Sequence, residues 1–539
     1  MTKKQRWILI SVLAGVALAV AISVGGLDVL VTKAVDRRLQ AALRDNDKYN
    51  VTYRYMAVML LSHTVELRDV TFSIPPADTI TGTEAPVQVH VKHVAFIQYN
   101  LLKLLKERQL HIYKVLVDEP EITINLPMVK FTDTIPENIP LKGIDVAHVK
   151  VKGGSLHLSH TDNPMRLAVD GINLSLQDIC YDLPAATLTY NDSIYRLTLA
   201  NLDFTTDDGL FRINLGSLQT EDAGAIVAKN LHCYHTISKT ALADKLGKVP
   251  ATWADADITT IQTSPVNIIR QALAKQIDIN SINVVGKKVH IFRDVRYAPK
   301  KPCPTPQDVI LAMKLPVCVH TMQVTLPQLD IELRTQNIGK GLLTVRKAKG
   351  KLTNVTNKRG EKLHAKIHAE LSNGGVGDVT MNMKMDKAGH FDFAADCKNI
   401  SGSSFNQFLH PLFGLEASIT VNSLTTNYSG DKRHAEGTFC MTYDDIQVHV
   451  FKEDTPYQLM AQNAGAINAF APVVLQRRNP RIIGQQPQSY RVSKNRDPMK
   501  NYADYLMGPL LDGVLKTMLP GYLVKTIDKK TSGTQTNKK

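Results

Sequence analysis

The feature that most constrains the fold is an eight-residue pattern of apolar side chains, apolar-x-apolar-x-x-apolar-x-apolar, that recurs along the chain. Full copies begin at Val65, Val89, Leu110, Ile144, Leu167, Leu197, Ile277 and Val324, and a weaker copy begins at Ile419. Apolar residues two apart lie on one face of a β-strand. The two-residue gap shifts this phase once, as a β-bulge or a bend between two short strands would.

Three copies extend beyond eight residues, which favours one supersecondary unit used repeatedly. The copies that begin at Leu110, Ile144 and Ile277 continue with two further apolar residues, which in the first copy are Ile122 and Ile124. Repetition of this kind is typical of a solenoid or a long β-ribbon. Such an array builds a surface or a groove and not a single deep catalytic pocket.

Composition and charge narrow the classes of partner. The 539-residue chain has an apolar content of 44%, which is ordinary for a folded protein, and a formal net charge of +14. A basic protein suits an anionic partner, either nucleic acid or lipid headgroups, or uses the charge only for solubility. The basic residues are spread over predicted strands and loops, without an arginine-rich helix or aromatic-basic interleaving. This distribution disfavours nucleic acid.

An uncharged apolar run from Trp7 to Leu27 predicts a membrane anchor. Its length is close to the about 20 residues that cross a hydrocarbon core as a helix. Lys3, Lys4 and Arg6 precede it, which places the N-terminus in the cytoplasm and everything after Asp28 outside it. A cleaved signal peptide is the alternative, but the apolar region of a signal peptide is shorter, about 7–15 residues.

The chain is expected to divide into eight segments. These are a cytoplasmic N-terminus (1–6), the anchor (7–27), a juxtamembrane helix (28–45), an N-terminal β-rich groove region (46–298), a Pro-rich linker (299–316), a C-terminal β-rich region (317–476), a loop with an amphipathic helix (477–528) and a polar tail (529–539). Cys303 and Cys318 flank the linker and are the most plausible disulfide pair, because disulfides are permitted outside the cytoplasm.

Apolar spacing and turn residues predict a few short helices between the strands. The helices are expected over Tyr99 to Arg108, between Ser238 and Lys275, over Ser403 to Phe413, and over Tyr502 to Leu519 with a bend or break at Gly508, Pro509 and Gly513. Gly437 to Asp444 and Ile446 to Phe451 are predicted as two strands. Asp444-Asp445 fits a turn between them better than a pair of catalytic carboxylates.

The sequence contains no strong catalytic or metal-binding motif. Gly350-Lys351 lacks the following Ser or Thr of a P-loop, and neither G-x-S-x-G nor H-E-x-x-H occurs. The run from His232 to His235 is the most compact metal-like cluster. Cys233 and His235 would share a face in a strand, but two ligands do not make a site. We therefore predict no catalytic residues, no metal site, no cofactor and no enzymatic activity.

These features resemble the AsmA-like proteins of the bacterial envelope. The shared signs are the single N-terminal anchor, the repeated strand pattern, and the apolar run Leu101 to Leu105 that leads into a strand signature with Pro120. The segment from Gly437 to Lys452 is similar to a C-terminal strand pair of that family. The run from Arg496 to Pro498 before the last predicted helix also resembles it.

The resemblance implies a mainly β fold: an elongated, curved, antiparallel sheet array that forms a taco-like groove, with a few short helices and one transmembrane helix. Proteins of this repeating β-groove superfamily are thought to hold acyl chains in the groove and to move phospholipid between membranes, or otherwise to maintain the outer membrane. The implied protein is a single-pass inner-membrane protein with most of its chain in the periplasm. Its implied partners are phospholipid or another acyl-chain lipid, the inner membrane and envelope proteins, without nucleic acid.

The physics of alternating strands fits such a groove, because an uncovered apolar sheet face forms a trough for acyl chains. The alternative is a closed β-sandwich or barrel, which would suit a scaffold protein of an envelope assembly without lipid cargo. Alternation alone does not separate the two. The predicted groove-lining residues are Val65, Leu67, Val89, Val91, Leu110, Ile112, Val115, Val117, Ile144, Val146, Leu167, Val169, Leu197, Leu199, Ile277, Ile279, Val324 and Leu326.

Overall fold

The structure is a computed structural model, and it confirms that the part of the chain it describes is mainly β, with 60% strand and 16% helix. It describes residues 27–41, 50–74, 86–126, 142–182, 187–189, 191, 195–221, 224–335, 340–372, 374–452 and 458–519. Two compact units divide the chain, Met1–Lys229 and Asn230–Lys539. The predicted anchor, apart from Leu27, lies outside the described residues. Within them, no helix combines the length and the apolar character that a membrane span requires.

The first unit is a mixed β-sheet that follows a helix, α1, over residues 27–41. Its elements are β1 (Asn50–Thr52), β2 (Tyr55–Met59), β3 (Thr64–Ile74), β4 (Val87–Tyr99), α2 (Leu101–Glu107), β5 (Gln109–Leu126), β6 (Gly143–His160), β7 (Arg166–Asp182), β8 (Thr187–Thr189), β9 (Tyr195–Thr205) and β10 (Phe211–Thr220). β1 and β2 both pair with β3, and the ladder continues through β4, β5, β6, β7 and β9 to β10. β8 pairs with the end of β7.

The boundary between the units falls within β11 (Ile226–His235), and the remaining elements belong to the second unit. Its elements are α3 (Leu242–Lys245), β12 (Ala251–Thr263), α4 (Ile268–Leu273), β13 (Ile277–Asp294), α5 (Pro306–Leu311), β14 (Val317–Arg334), β15 (Lys340–Thr356), β16 (Lys362–Leu371), β17 (Val376–Lys384), β18 (Phe391–Ser401), α6 (Ser403–Phe413), β19 (Leu415–Gly430), β20 (His434–Val450), α7 (Gln458–Val474), β21 (Ser489–Asn495), α8 (Tyr502–Leu506) and α9 (Gly508–Met518). From β12 to β21 each strand pairs with the next.

The prediction of a purely antiparallel array is wrong at two ladders. β5 pairs with β6 in parallel, and β13 pairs with β14 in parallel. Parallel neighbours need a long crossover connection. The segments 127–142 and 295–316 are long enough to provide it, whereas short hairpin turns join most of the antiparallel pairs. The sequence pattern fixes the face of each strand but carries no information about its direction relative to its neighbour.

One arrangement of elements occurs in both units. A short helix, two parallel strands of 18 residues and an antiparallel strand of 17 residues follow one another as α2, β5, β6 and β7 and again as α4, β13, β14 and β15. In the first arrangement, Leu110 and Ile144 each begin a pattern copy and pair with each other, and in the second, Ile277 begins a copy and pairs with Val317. The two copies are therefore an internal duplication, as the extended pattern copies indicated.

The ladder is interrupted inside the two-residue gap of each full pattern copy. The ladder passes over one gap residue in all eight copies, and these residues are Asp69, Lys92, Tyr113, Ala147, Gly171, Asn201, Asn280 and Pro327. In β3, β7 and β9 this residue has a left-handed backbone, with φ of 50°, 62° and 57°. Such a residue interrupts the strand alternation by one position. The predicted bulge or bend is confirmed in these three strands, and it is expected to place the apolar residues before and after it on one face.

The bends align across neighbouring strands, so the sheet of the first unit folds along two lines. One line consists of His63, Gln98, Tyr113, Ala147 and Asp178, and the other of Asp69, Lys92, Glu119, Gly153, Gly171 and Asn201. The second unit repeats the arrangement at Asn280, His320 and Asn354 and at Pro327 and Lys347. Because a bulge bends its strand, aligned bulges curve a whole sheet.

Several local predictions are confirmed and two are wrong. α2, α6 and the divided final helix lie where they were predicted, and α3 and α4 fall in the expected interval. The turn at Asp444-Asp445 does not form, because β20 runs through it with a bulge at Asp445, whose φ is 53°. All six cysteines are free, so Cys303 and Cys318 form no disulfide. The predicted linker contains α5, which Thr305 and Asp308 cap reciprocally.

The bends predict opposite effects of glycine at two exposed positions of β4. Gln98 has φ of 56°, so Gln98→Gly should stabilise the fold by about 1 kcal/mol by removing a left-handed side-chain penalty. Gln88 lies in the regular part of the strand, so Gln88→Gly should destabilise it by about 0.5–1 kcal/mol. Urea unfolding measures both changes. Equal destabilisation by the two substitutions would contradict the bend at Gln98.

Candidate functional site

The register of the first unit places the apolar pattern residues in continuous rows across the sheet. Between the two bend lines, one row consists of Val65, Phe96, Val115, Val149 and Leu176, and the next of Leu67, Val94, Val117, Val151, Leu174 and Leu197. Residues in a row are direct ladder partners. Their side chains therefore point to the same face at the strand spacing of about 4.8 Å.

Two more apolar rows continue beyond the second bend line on the same face. They consist of Phe72, Val89, Ile122, Leu156, Val169, Leu202 and Leu215, and of Ile74, Val87, Ile124, Leu158, Leu167, Phe204 and Ile213. Val70, Val91, Pro120, Gly154 and Ile172 lie between the two pairs of rows. A Cβ atom at Gly154 would lie 3.0 Å from Pro120 Cγ, so glycine permits this close approach.

The opposite face of the same strands is polar. Arg68, His93, Asp118 and Lys152 form one row, and Thr71, His90, Glu121 and Ser155 form another. His93 Nδ1 lies 3.0 Å from an Asp118 carboxylate oxygen, and Lys92 Nζ lies 2.9 Å from Glu119. The sheet is therefore amphipathic across its two faces, as in a sheet with one solvated side.

The burial of the predicted groove residues indicates a face without a close-packed second layer. Four of the eighteen are buried, namely Val91, Ile112, Val146 and Val169. The other fourteen are half-buried. Neighbouring side chains in one sheet shield an apolar residue only partly, whereas a second layer removes it from solvent. Within the described part of the first unit, we call this half-buried surface the apolar face.

Helix α1 hydrogen-bonds to the first edge of the sheet. The Thr32 hydroxyl accepts a hydrogen bond of 2.9 Å from the backbone N–H of Val58, and an Asp28 carboxylate oxygen accepts one of 2.9 Å from that of Leu60. These side chains satisfy donors that an edge strand leaves unpaired. Leu27 and Leu30 on the same helix are more than half exposed.

The second unit carries a comparable row, in which the side chains are half-buried at one end and buried at the other. The row consists of Ile282, Met322, Leu352, Ala365, Met381, Phe393 and Tyr428. Its first members lie beside the predicted residues of β13 and β14, which are half-buried. Its last members belong to a core that Tyr502 and Tyr505 of α8 cover.

The C-terminal core is closed by helices that hydrogen-bond to the sheet. The hydroxyl of Tyr428, which is 1% exposed, donates to the Leu506 carbonyl at 2.6 Å. Burial raises the pKa of Tyr428, so this hydroxyl stays protonated. A Cβ atom at Gly513 would lie 2.1 Å from the Phe439 ring, so α9 approaches β20 as closely as glycine allows. Here the apolar side of the sheet forms a covered core.

A polar cavity lies in the second unit. It has a volume of about 650 Å³ and is bordered by α6, β19 and β20. Glu416, Asp445 and Arg477 contribute its charged groups, with Ser403 and Asn406 beside them. The cavity does not change the prediction that the chain lacks a catalytic site.

The histidines of the 232–235 run have separate partners. A His232 ring nitrogen lies 2.9 Å from an Asp255 carboxylate oxygen. His235 Nδ1 instead accepts a hydrogen bond of 3.1 Å from the backbone of Ala254. These two side chains therefore make cross-strand contacts with β12.

The rows also contain residues that were not among the predicted groove-lining residues. Phe96, Val149, Leu176, Leu202 and Phe204 are ladder partners of predicted residues. The signal that could have identified them is the complete pattern copy, because each copy contributes four residues to one face. Comparisons of the chain with protein-family models and with curated proteins find no match.

The open and covered faces predict different responses to a buried charge. Val115→Asp should cost only about 1–2 kcal/mol and leave the first unit folded, because a carboxylate on the half-buried face can reach water. Tyr428→Asp should cost more than about 4 kcal/mol and unfold the C-terminal core, because no water reaches that position. Hydrogen exchange of each region measures the two effects. Global loss of protection in Val115→Asp would contradict an uncovered apolar face.

Proposed function

We propose that this chain is a membrane-anchored protein of the bacterial envelope that binds phospholipid acyl chains along the apolar face, in the manner of AsmA-like proteins. It supports lipid transport between the inner and outer membranes or outer-membrane biogenesis. Its N-terminus lies in the cytoplasm and its sheet in the periplasm. The observation that carries this proposal is the continuity of half-buried apolar rows across at least five neighbouring strands.

The dimensions of the apolar face suit an acyl chain. One leaflet of a bilayer core is about 15 Å thick, so an acyl chain of that length extends over roughly three strands at about 4.8 Å each. The rows of Val115 and Val117 offer apolar side chains on at least five strands. Each methylene removed from water contributes about 0.8 kcal/mol. A chain lying along these rows therefore gains substantial free energy without any specific polar contact.

The contacts of α1 support entry of lipid at the first edge of the sheet. The predicted anchor directly precedes α1, and Thr32 and Asp28 of α1 bind the backbone of β2. An anchor in the inner membrane would hold this edge close to the bilayer surface. Exposed Leu27 and Leu30 suit the apolar boundary of that surface. The net charge of +14 favours anionic headgroups nearby.

A scaffold role in an envelope assembly is the second candidate function. The observation that favours it is the covered core of the second unit, in which Phe439, Tyr443 and Val492 are almost fully buried. A closed core of this kind stabilises a sheet and offers no space for cargo. The scaffold role requires that the apolar face of the first unit also be covered, by a partner protein and not by lipid.

Photo-cross-linking from two adjacent residues of β6 tests the lipid proposal in the full-length chain. Val151 lies in an apolar row, and Lys150 is exposed on the polar face. Each variant carries a photoreactive benzoylphenylalanine at one of these positions and is irradiated in cells grown with labelled phosphate. The Val151 variant should then carry several-fold more labelled phospholipid than the Lys150 variant. Equal labelling at both positions would contradict lipid binding to the apolar face. A protein cross-link at Val151 without lipid would favour the scaffold role.

A further inference from the structure

Three metal-ligating side chains converge on the parallel pair β13–β14, on the face opposite the apolar rows. Asp278 and Cys318 are direct ladder partners, and His320 follows Cys318 by two residues on the same strand. One ligand atom from each residue lies within 4.8 Å of those of the other two. Ile277, which precedes Asp278, begins a pattern copy, and Val317, which precedes Cys318, is its ladder partner. Strand alternation therefore directs Asp278 and Cys318 to the polar face.

The distances among these atoms are close to those of a tetrahedral metal centre. His320 Nε2 lies 3.2 Å from an Asp278 carboxylate oxygen and 3.8 Å from Cys318 Sγ. Metal–ligand bonds of about 2.0–2.3 Å at tetrahedral angles separate such ligand atoms by about 3.4–3.6 Å. A single imidazole N–H can be directed at only one of the two neighbours. A cation at the centre would interact with all three ligands.

The backbone at Asp278 and Cys318 is held by neighbouring elements. Gln271 of α4 accepts a hydrogen bond from the Asp278 N–H at 2.9 Å and donates one to its carbonyl at 3.2 Å. β14 lies between β13 and β15, and Cys318 also pairs with Thr356. The side chains of Asp278 and His320 are 53% and 56% exposed. A dissolved ion can therefore reach a site whose geometry is already set.

We propose that Asp278, Cys318 and His320 form a binding site for a divalent transition-metal ion of the Zn²⁺ type, with water as the fourth ligand. Thiolate, imidazole and carboxylate are the protein ligands that Zn²⁺ prefers. On binding, the Cys318 S–H bond breaks, its proton goes to solvent and the sulfur lone pair forms the bond to the metal. No electron transfer is involved, because Zn²⁺ has no redox chemistry.

Proton release makes the site dependent on pH. Burial raises the pKa of the Cys318 thiol, and the negative charges of Asp278 and Glu361 raise it further. The metal-free thiol is therefore protonated at neutral pH, and the ion must displace that proton. Each bound ion therefore releases the thiol proton.

The first copy of the internal duplication provides a natural control. His111, Asp145 and Cys180 occupy a similar transverse row there, since Asp145 pairs with both of the others. In that row Gln109 Nε2 donates a hydrogen bond of 2.6 Å to the Asp145 carboxylate, and His111 Nδ1 lies 3.9 Å from it. The thiol of Cys180 hydrogen-bonds to Asp145, which raises its pKa. A polar side chain thus already occupies the position of an ion.

Cobalt titration of the metal-free full-length chain tests the site, because a thiolate–Co²⁺ bond gives a charge-transfer absorption that an ion pair does not. We expect one equivalent of Co²⁺ with this absorption, and its displacement by Zn²⁺. Cys318→Ser should abolish the band, whereas Cys180→Ser should leave it unchanged. Asp278→Asn and His320→Asn, at exposed positions, should weaken binding at least about 10-fold.

Three results would overturn the proposal. They are the absence of a thiolate–cobalt band in the unsubstituted chain, persistence of the band in Cys318→Ser, and unchanged affinity in both Asp278→Asn and His320→Asn. Circular dichroism of each variant separates loss of ligands from loss of fold. If Cys318→Ser fails to fold, the two exposed substitutions decide the question, since neither removes a buried group.

Discussion

The structure depends on one backbone constraint, which is a bend at a fixed place in every strand of the repeat. A strand that alternates without interruption would send Val65 and Val70 to opposite faces. The bend at Asp69 removes that conflict by using one residue outside the alternation. The bends of neighbouring strands lie side by side, so the sheet curves as a whole. The surrounding sheet holds each left-handed residue in place despite its conformational strain.

The same constraint produces two different environments. In the first unit it gathers apolar side chains such as Val115 on a face that neighbouring strands shield only partly. In the second unit the apolar side of β18 to β20 is covered by α8 and α9, and Phe439 and Tyr428 become a dry core. A covered end stabilises the array, and an uncovered face leaves apolar surface for a ligand. The proposed lipid-binding role needs both properties in one chain.

Apolar spacing alone was sufficient to locate the bends, the shared face and several helices. Asp69 and Asn201 lie in pattern gaps, and α6 occupies the residues predicted for it. The two parallel ladders could not be predicted, because spacing is the same in either strand direction. Asp444-Asp445 has turn-forming side chains, but pairing of β20 with β19 outweighs that preference and leaves a bulge. Asp278 and Cys318 are far apart in the sequence and become neighbours only because β13 and β14 pair in parallel. The sequence alone therefore did not indicate that cluster.

The central claim is that acyl chains occupy the apolar face of the first unit. An experimental density map of the full-length protein, purified from its native membrane without delipidation, tests it most directly. The account predicts elongated, non-protein density along the rows that contain Val115 and Val117, running across several strands. A face covered by protein, or an empty face in a preparation that retains its phospholipid, would contradict it.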